Sequence, residues 1–309
     1  MSQQRKNDEC WQHIFEELDI LNSLKKEGKF YISAKKINRY RQARLMTKFD
    51  TLSSLPEIFK QHHINILAVS NGEYMLYADK QMGQYAEIDM TLDNTPEQYD
   101  EVLSQNLETM QFSHLMSESS AIDYAHYAGL LDACFAENGL VLTTRGRMFS
   151  TSFDIHLPGQ LSQQINAVQI EVDAGFEGEK AFHIVEAKCG VRDSFNIRQL
   201  YYPYRHFSAI LNKPVHCWLM IFSNGVYYMY RYAFADNSLA HEIKECRTFV
   251  IRRGVGTDEI DLQKLHNSIS PEPKEMPLPQ ANQVQKLLDA LTALSHASMN
   301  KEDLAAYFE

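Results

Sequence analysis

Apolar residues recur three or four positions apart at the start of the chain. In residues 11 to 27 this spacing predicts an amphipathic helix, which Gly28 should end. A short strand at 30 to 32 and a helix capped by Ser33 come next, and a further helix follows at 54 to 62. The start of the chain therefore predicts three helices and one short strand.

Two apolar strands then flank an Asn-Gly turn. Residues 64 to 69 and 74 to 77 surround Ser70-Asn71-Gly72, and Asn-Gly between strands is the strongest short signal for a hairpin. The order helix, strand, two helices and hairpin is that of a winged helix, whose third helix would enter the major groove of DNA. A helical packing domain without that role is the alternative. We predict a winged-helix-like DNA-recognition domain at residues 1 to 110, including a weakly patterned connector from residue 79.

The middle of the chain alternates helices with strands. The predicted elements are a helix at 117 to 137 with Ser117 near its start, strands at 168 to 173 and 181 to 188, a helix capped by Asp193 or Ser194 and kinked or ended by Pro203, and a hairpin at 215 to 222 and 226 to 234. This pattern predicts an α/β (α+β) domain at residues 111 to 270, in which helices flank a mixed sheet.

Proline punctuates the end of the chain. After a short predicted helix at 260 to 269, four of the nine prolines fall between positions 271 and 280, which is typical of a linker. Two helices are predicted beyond it, at 280 to 295 and 301 to 308. Two helices cannot bury a core of their own, so residues 271 to 309 either dock on the body of the protein or begin a module that continues in a longer chain.

Composition places the chain among ordinary globular proteins. Its 309 residues are 44% apolar and 23% charged, and no apolar run approaches the roughly 20 residues that a membrane span needs. The first ten residues lack the apolar core of a signal peptide. Five scattered cysteines form no zinc-binding pattern and suggest reduced thiols. We therefore expect a cytoplasmic protein with no membrane partner.

Charge is unevenly distributed. The net charge is −10, but residues 25 to 48 contain nine basic residues against the single acid Glu27. A local positive face on an acidic protein is typical of a DNA-contact surface, although a solvated charged face is the simpler alternative. The candidate DNA contacts in this region are Lys35, Lys36, Arg39, Arg41 and Arg44.

A carboxylate–lysine cluster gives the clearest chemical signal. Glu-x-Lys occurs four times, at 27 to 29, 186 to 188, 242 to 244 and 272 to 274. Only Glu186 and Lys188 follow an apolar β-branched run, and they project from one face of their strand. Asp173 ends the preceding strand, so a hairpin would bring all three side chains together. Two carboxylates that hold Mg²⁺ beside a lysine suit phosphodiester hydrolysis, whereas the alternative is an exposed ion pair of small energetic value.

Other residues are candidates around this cluster. Glu118 either compensates the dipole of its helix or adds a third carboxylate to a metal site. Arg145 and Arg147 flank a glycine before a strand, a placement suited to phosphate contacts, although surface arginines without a ligand are equally compatible with the pattern. The helix after Lys188 presents Arg198, Gln199, Tyr202 and Arg205, which suit phosphate and sugar contacts or ordinary packing.

The segments IEVDAGFE, HIVEAK and FNIRQLYYPYR resemble a family of bacterial type II restriction endonucleases within the PD-(D/E)XK nuclease superfamily. FYISAKKINRYRQARLMTKFD, LPEIF, SESSA, RGRM and PLPQA are similar to the same family. The resemblance implies that Asp173 and Glu186 bind the metal, that Lys188 is the catalytic lysine and that Gln199 contacts the site. It also implies that the C-terminal helices begin a small helical DNA-binding module. Val172 stands where the name of the motif has proline.

These observations predict a sequence-specific type II restriction endonuclease that hydrolyses double-stranded DNA with Mg²⁺, for which Mn²⁺ would substitute. A cognate DNA methyltransferase is the implied partner, and a homodimer is expected if the target is palindromic. A methylation-dependent or repair nuclease of the same fold is one alternative. A non-catalytic DNA-binding protein is another, although the intact acids and lysine argue against it.

Overall fold

A computed structural model describes residues 3–90, 96–103, 107–110, 115 and 117–252. The helix expected at 260 to 269, the proline-rich linker and the two C-terminal helices lie outside these residues. Met1–Arg252 forms one compact unit. None of its described helices is both long and apolar enough to cross a lipid bilayer.

Residues 3–78 form five helices and a three-stranded sheet. The elements are α1 (Gln3–Glu17), α2 (Ile20–Glu27), β1 (Lys29–Ser33), α3 (Ala34–Ile37), α4 (Ala43–Thr47), α5 (Glu57–Gln61), β2 (Ile64–Ser70) and β3 (Glu73–Ala78). Strand β3 lies between β1 and β2 and is antiparallel to both. The expected hairpin is confirmed, and Gly72 turns it with a φ of 77°.

The single helix expected at 11 to 27 is two helices. Asp19 has left-handed backbone angles and separates α1 from α2, while Gly28 ends α2 as expected and donates its N–H to the Leu24 carbonyl at 2.9 Å. Ser33 caps α3 by accepting a hydrogen bond from the Lys36 N–H, but α3 ends at Ile37 rather than near Arg41. The turn signals therefore locate the boundaries better than the apolar spacing does.

The remaining described elements form a seven-stranded mixed sheet with helices on both faces and two separate two-stranded sheets. They are β4 (Tyr85–Glu87), β5 (Glu97–Asp100), α6 (Glu118–Tyr127), α7 (Leu130–Phe135), β6 (Val141–Phe149), β7 (Phe153–Leu157), β8 (Leu161–Ile165), β9 (Gln169–Glu177), β10 (Phe182–Cys189), β11 (Ser194–Asn196), α8 (Arg198–Ile210), β12 (Val215–Ser223), β13 (Val226–Phe234) and β14 (His241–Arg252). The main sheet has the order β5-β14-β13-β12-β10-β9-β6, and the two-stranded sheets pair β4 with β11 and β7 with β8. Strands β10 and β12 are parallel, as are β14 and β5, and the other pairs are antiparallel.

Two apolar clusters cover the two faces of this sheet. Leu200 and Tyr201 of α8 pack with Ile184 of β10 in one cluster. The helices α6 and α7 pack in the other, which contains Val185. Successive residues of β10 thus serve opposite faces, as strand geometry requires. The expected mixed sheet flanked by helices is confirmed.

Several boundaries expected in this part are wrong. The helix from 117 to 137 is broken at Gly129, whose φ is 80° and where a Cβ would lie 2.7 Å from a Val102 methyl. The connector from 79 contributes β4 and β5 to sheets. Ser194 does not cap a helix, because residues 194–196 pair with β4 as β11. Helix α8 starts later, at Arg198, and continues through the buried Pro203 to Ile210 because its apolar face packs on the sheet.

The N-terminal elements share a core with the main sheet. Leu67 and Val69 of β2 belong to the same apolar cluster as Ile170 of β9. Backbone hydrogen bonds reinforce the contact, including the Asn196 N–H to the Asp50 carbonyl at 2.8 Å and the Ile197 N–H to the Gln84 carbonyl at 3.0 Å. The two parts are therefore held together by packing and by hydrogen bonds as one unit.

Candidate active site

A cleft of about 400 Å³ lies between the N-terminal elements and the main sheet. Helix α4, the β2–β3 turn, β9, the end of β10 and the start of α8 contribute to its walls. The chemically active side chains expected from the sequence line it together: Glu118, Asp173, Glu186, Lys188 and Gln199. Four elements, α6, β9, β10 and α8, contribute these five residues.

Asp173 lies where β9 and β10 part. Their pairing runs from Phe182↔Glu177 to Val185↔Ala174, and the next free N–H on β10, that of Ala187, donates to Asp173 Oδ2 at 2.9 Å. The carboxylate thus replaces a backbone acceptor and is held in position.

The side-chain alternation of β9 breaks at the same point. Val172 packs in the cluster under α8, whereas Ala174, two residues later, packs in the cluster under α6 and α7. The pairing of β9 with β6 is also irregular here, with register shifts around Thr144 and Gly146. Such irregularities bend a strand and redirect a side chain. The break therefore accounts for the direction of the Asp173 carboxylate.

Glu186 and Lys188 lie on one face of β10 and are almost fully buried, with 4% and 8% of their surfaces exposed. Lys188 Nζ donates to Glu186 Oε1 at 2.6 Å, and Gln199 Nε2 of α8 donates to the same oxygen at 2.6 Å. The alternative of a solvated ion pair at a strand end is therefore wrong. Burying such a pair is costly unless hydrogen bonds compensate for the lost hydration, and here Glu186 Oε1 accepts two of them.

Glu118 approaches the pair from α6. Ser117 caps this helix by accepting the Ser120 N–H at 3.1 Å, as the sequence predicts, and Glu118 therefore occupies the first turn. Its Oε1 lies 3.8 Å from Lys188 Nζ. Three carboxylates consequently surround one ammonium group.

This excess of negative charge changes the acidities of the pair. Burial raises the pKa of Glu186 to about 7, with contributions from Asp173 and Glu118 and against the opposing effect of Lys188. Burial lowers the pKa of Lys188, but its attraction to Glu186, Glu118 and Asp173 outweighs burial, so the net change is upward. Lys188 is thus a permanent cation, and a further positive charge beside the carboxylates would stabilise the site.

The carboxylates suit a hard divalent cation. Among the described residues, no three His, Cys, Asp or Glu side chains lie close enough to enclose an ion by themselves. Mg²⁺ does not need such an enclosure, because it keeps several waters and binds through one or two carboxylates together with substrate phosphates. Asp173 and Glu186 could supply those two carboxylates, with Glu118 beside them. The donor set is therefore compatible with hydrated Mg²⁺.

Basic side chains line the same cleft. Arg147 on β6 lies 3.3 Å from Glu171 Oε1, and Arg198 on α8 stacks over the Tyr202 ring with its Nε buried and without a partner in the described structure. Arg44 and Lys48 also line the cleft, and Lys48 Nζ lies 4.0 Å from Glu171 Oε2. Lys48 was not among the expected contacts, although it ends the basic stretch from residue 25. A cleft lined by cations above buried carboxylates suits an anionic ligand together with a metal.

The other expected DNA contacts do not line this cleft, or are engaged within the protein. Lys35, Lys36 and Arg39 are exposed elsewhere on the N-terminal elements, and Arg41 donates to Asn7 Oδ1 at 2.6 Å. Arg205 donates to the Asp154 carbonyl at 3.0 Å. Arg145 pairs with Asp123, and the buried Tyr202 hydroxyl donates to the Ala68 carbonyl at 2.9 Å.

Glu186 makes the stability of the metal-free protein depend on pH. The folded protein keeps the Glu186 proton up to about pH 7, whereas an ordinary glutamate loses it near its reference pKa of 4.5. The free energy of unfolding should therefore fall as pH rises between these two values. Glu186→Gln cannot titrate, so its free energy of unfolding should fall less than that of the wild type.

Urea unfolding in EDTA at about pH 5 and about pH 7.5 measures this difference. Burial lowers the pKa of His183, which changes stability in the opposite direction, but this contribution is common to both proteins and cancels. Equal changes in the two proteins would contradict the assignment of the raised pKa to Glu186.

Two family models match the chain. Residues 8–76 match a family described as Domain of unknown function (DUF6996), and residues 80–250 match one described as Domain of unknown function (DUF6997). No curated protein and no solved structure matches the chain. Because the second match spans more than half of the 309 residues, the protein belongs to the family described as Domain of unknown function (DUF6997).

Proposed function

We propose that the protein is a Mg²⁺-dependent DNA endonuclease with a PD-(D/E)XK core, and specifically a sequence-specific type II restriction endonuclease. One observation carries the proposal. Asp173, Glu186 and Lys188 converge at the parting ends of two strands, where Lys188 and Gln199 bond one oxygen of the buried Glu186. The resemblance of the segments around these residues to such endonucleases supports the specific class.

Each side chain has a role in this chemistry. Asp173 and Glu186 would hold Mg²⁺, with Glu118 as a further carboxylate. The metal would polarise the scissile phosphate and increase the acidity of a water molecule. Lys188 would orient the attacking water and stabilise the negative charge that develops on the phosphate oxygens. Gln199 fixes the Glu186 carboxylate through its 2.6 Å hydrogen bond and is thus a positioning residue.

The surroundings of the site support a nucleic-acid substrate. Arg44, Lys48, Arg147 and Arg198 line the cleft, although the protein as a whole is acidic. Cations concentrated at one site attract and position a phosphate backbone without reading its sequence. Sequence-specific contacts must therefore come from other groups that approach the bases.

We propose that the N-terminal elements form a winged-helix-like module that contributes to recognition. Their three-stranded sheet, with β3 between β1 and β2, supports this, although residues 3–78 contain five α-helices rather than the three expected. Residues 70–72, at the tip of the β2–β3 hairpin, and Arg44 of α4 line the cleft beside the catalytic side chains. Helix α5, which would enter the major groove in the simplest docking arrangement, buries Ile58 and Phe59. The hairpin and α4 are therefore the better candidates for contacting DNA next to the cut.

Digestion of DNA tests the proposal. Incubation with unmethylated duplex DNA and Mg²⁺ should give discrete fragments with constant ends, and replacement of Mg²⁺ by Ca²⁺ should leave binding but prevent cutting. Protection by a cognate methyltransferase would support a restriction system. Cutting confined to methylated DNA would select a methylation-dependent nuclease, cutting confined to branched DNA would select a repair nuclease, and binding without any cutting would select a non-catalytic DNA-binding protein.

Arg145 supplies a separate prediction about the metal site. Its Nε donates to the Asp173 carbonyl at 2.9 Å, and its guanidinium forms a two-point ion pair with Asp123 on α6. Asp123→Asn should loosen this support and raise the Mg²⁺ concentration needed for half-maximal cleavage by about 10-fold, the lower end of the range for groups that orient metal ligands. Cleavage rates measured across a Mg²⁺ titration report this change.

Saturating Mg²⁺ should restore most of the rate of Asp123→Asn, and the affinity for DNA in Ca²⁺ should stay at the wild-type value. An unchanged Mg²⁺ requirement would contradict this role. A loss of DNA affinity would instead assign Arg145 to the phosphate contact expected from the sequence.

A further inference from the structure

A second cleft of about 280 Å³ adjoins the active site. It shares Lys48, Glu118 and Lys188 with the first cleft and continues from them towards Arg192. Lys188 and Glu118 therefore lie between the two clefts rather than at the end of one. An extended ligand that occupied both clefts would pass the catalytic lysine in its middle.

Arg192 brings an additional cation to this second cleft. It belongs to the segment between β10 and β11, and its backbone N–H lies 3.4 Å from the Met90 sulfur. In the described part of the chain, no carboxylate lies within salt-bridge distance of its guanidinium. The neighbouring Asp193 accepts a hydrogen bond from Ser194 Oγ at 3.0 Å. Arg192 thus presents a cation whose partner the described protein does not supply.

The charged lining of the second cleft contains three cations, Lys48, Lys188 and Arg192, against two carboxylates, Asp50 and Glu118. Lys48 and Lys188 border both clefts, whereas Arg192 lines only the second.

The two hydroxyl side chains in this lining are engaged within the protein: Thr51 Oγ1 accepts the Ser54 N–H, and Ser194 Oγ accepts the Leu52 N–H and donates to Asp193. Arg192 is therefore the group suited to phosphate, because guanidinium groups recognise phosphate through paired, charge-assisted hydrogen bonds.

We propose that the second cleft binds the backbone phosphate next to the one that is cut, and that Arg192 is its main ligand. The inference rests on the proposed function, since it treats Lys188 as the point of cleavage. The cut strand runs from the cleft beside Arg44 and Arg147, past Lys188, to Arg192. Arg192 then binds on one side of the scissile bond only, which makes its contribution specific to a single phosphate.

Neutral phosphates test this assignment. After the cut position is mapped, a methylphosphonate is placed at each phosphate on either side of it, one per duplex, and single-turnover cleavage is measured. Wild-type protein should lose about 10-fold in rate when the phosphate bound by Arg192 is neutral, in keeping with the loss of one charged phosphate contact. Arg192→Gln should show a similar loss on unmodified DNA, and no further loss when that same phosphate is neutral.

Arg252→Gln is the matched control, because Arg252 is exposed, pairs with Asp100 and lies outside both clefts. It should cut like the wild type on every duplex. Arg192→Gln should also reduce the salt dependence of DNA binding in Ca²⁺ by about one unit of slope. Equal sensitivity of Arg192→Gln and wild type to every neutral phosphate, or an unchanged salt slope, overturns the inference.

Failure of the proposed function would be seen separately. Wild-type protein that binds DNA through Arg192, with the reduced slope in Arg192→Gln, but that does not cut with Mg²⁺ would retain the phosphate site and reject the endonuclease. Wild-type protein that cuts DNA with no contribution from Arg192 would retain the endonuclease and reject the phosphate site. Wild-type protein that neither binds nor cuts DNA rejects both.

Discussion

Lys188→Met is expected to lower the rate of DNA cleavage by at least about 10²–10³-fold, the effect of removing one group that stabilises developing charge. Methionine keeps the unbranched apolar stem of lysine and removes only the ammonium group that Glu186 binds at 2.6 Å. Binding of DNA in Ca²⁺ should be retained, because other cations line the cleft. Single-turnover cleavage and filter binding measure the two properties separately.

Lys213→Met is a suitable control for this substitution. Lys213 also forms an ion pair at 2.7 Å, with Glu177 at the C-terminal end of β9, but both side chains are partly exposed. It should cut DNA at the wild-type rate.

Lys188→Met should destabilise the fold only to a limited extent. The ion pair with Lys188 lowers the pKa of Glu186, so in Lys188→Met the Glu186 carboxylate should hold a proton at neutral pH. Cleavage by Lys188→Met at the wild-type rate would contradict the proposed role of Lys188.

Asp173→Asn is expected to abolish metal-dependent cutting and to weaken Mg²⁺ or Mn²⁺ binding by more than about 100-fold, since changes merely to the groups that orient ligands cost 10–100-fold. Asparagine retains an oxygen that can accept the Ala187 N–H, so the strand ends should keep their arrangement. The negative charge of the proposed metal ligand is lost. Calorimetric titration measures the affinity directly.

Thermal unfolding gives an independent measure of the same loss. A metal present at 100 times its dissociation constant stabilises the folded state by about 2.7 kcal/mol, and Asp173→Asn should lose this stabilisation. Asp154→Asn is the control, because Asp154 is an exposed acid on β7 that lies outside the cleft. Retained metal affinity in Asp173→Asn, or its loss in Asp154→Asn, would show that the metal ligands are assigned incorrectly.

The local pattern was sufficient to predict that one hairpin carries Asp173, Glu186 and Lys188, but not its register. Strand β9 continues past Asp173 to Glu177, so Asp173 lies within the strand rather than at its end and reaches the Ala187 N–H. A hairpin between neighbouring strands depends on a short turn, and the positions of side chains on a strand follow from its period of two. The same argument applies to the two Asn-Gly hairpins, which the structure contains at the expected positions. Burial of Glu186 and Lys188 was less predictable. It depends on how α8 folds back on the sheet, which also brings Gln199 to Glu186.

Contacts between distant segments could not be predicted in this way. Residues 194–196 carry a cap-like serine, but they pair as β11 with β4, more than 100 residues earlier in the chain. Arg145 and Arg147 flank Gly146, which predicts a phosphate-binding turn before a strand, but these residues lie within β6 and Asp123 on α6 occupies the Arg145 guanidinium. Such pairings depend on the packing of the whole sheet, for which spacing along one segment contains no information.

The apolar cluster shared by Leu67, Val69 and Ile170 has a consequence for exchanging parts between relatives. A chimera that joins residues 3–78 of one family member to the sheet of another would have to match these side chains in size and shape, because closely packed interiors tolerate mismatches poorly. If the N-terminal elements contribute to DNA recognition, as we propose, exchanging them alone would not transfer a target preference. We expect viable hybrids to require both matched segments, 8–76 and 80–250, from the same parent.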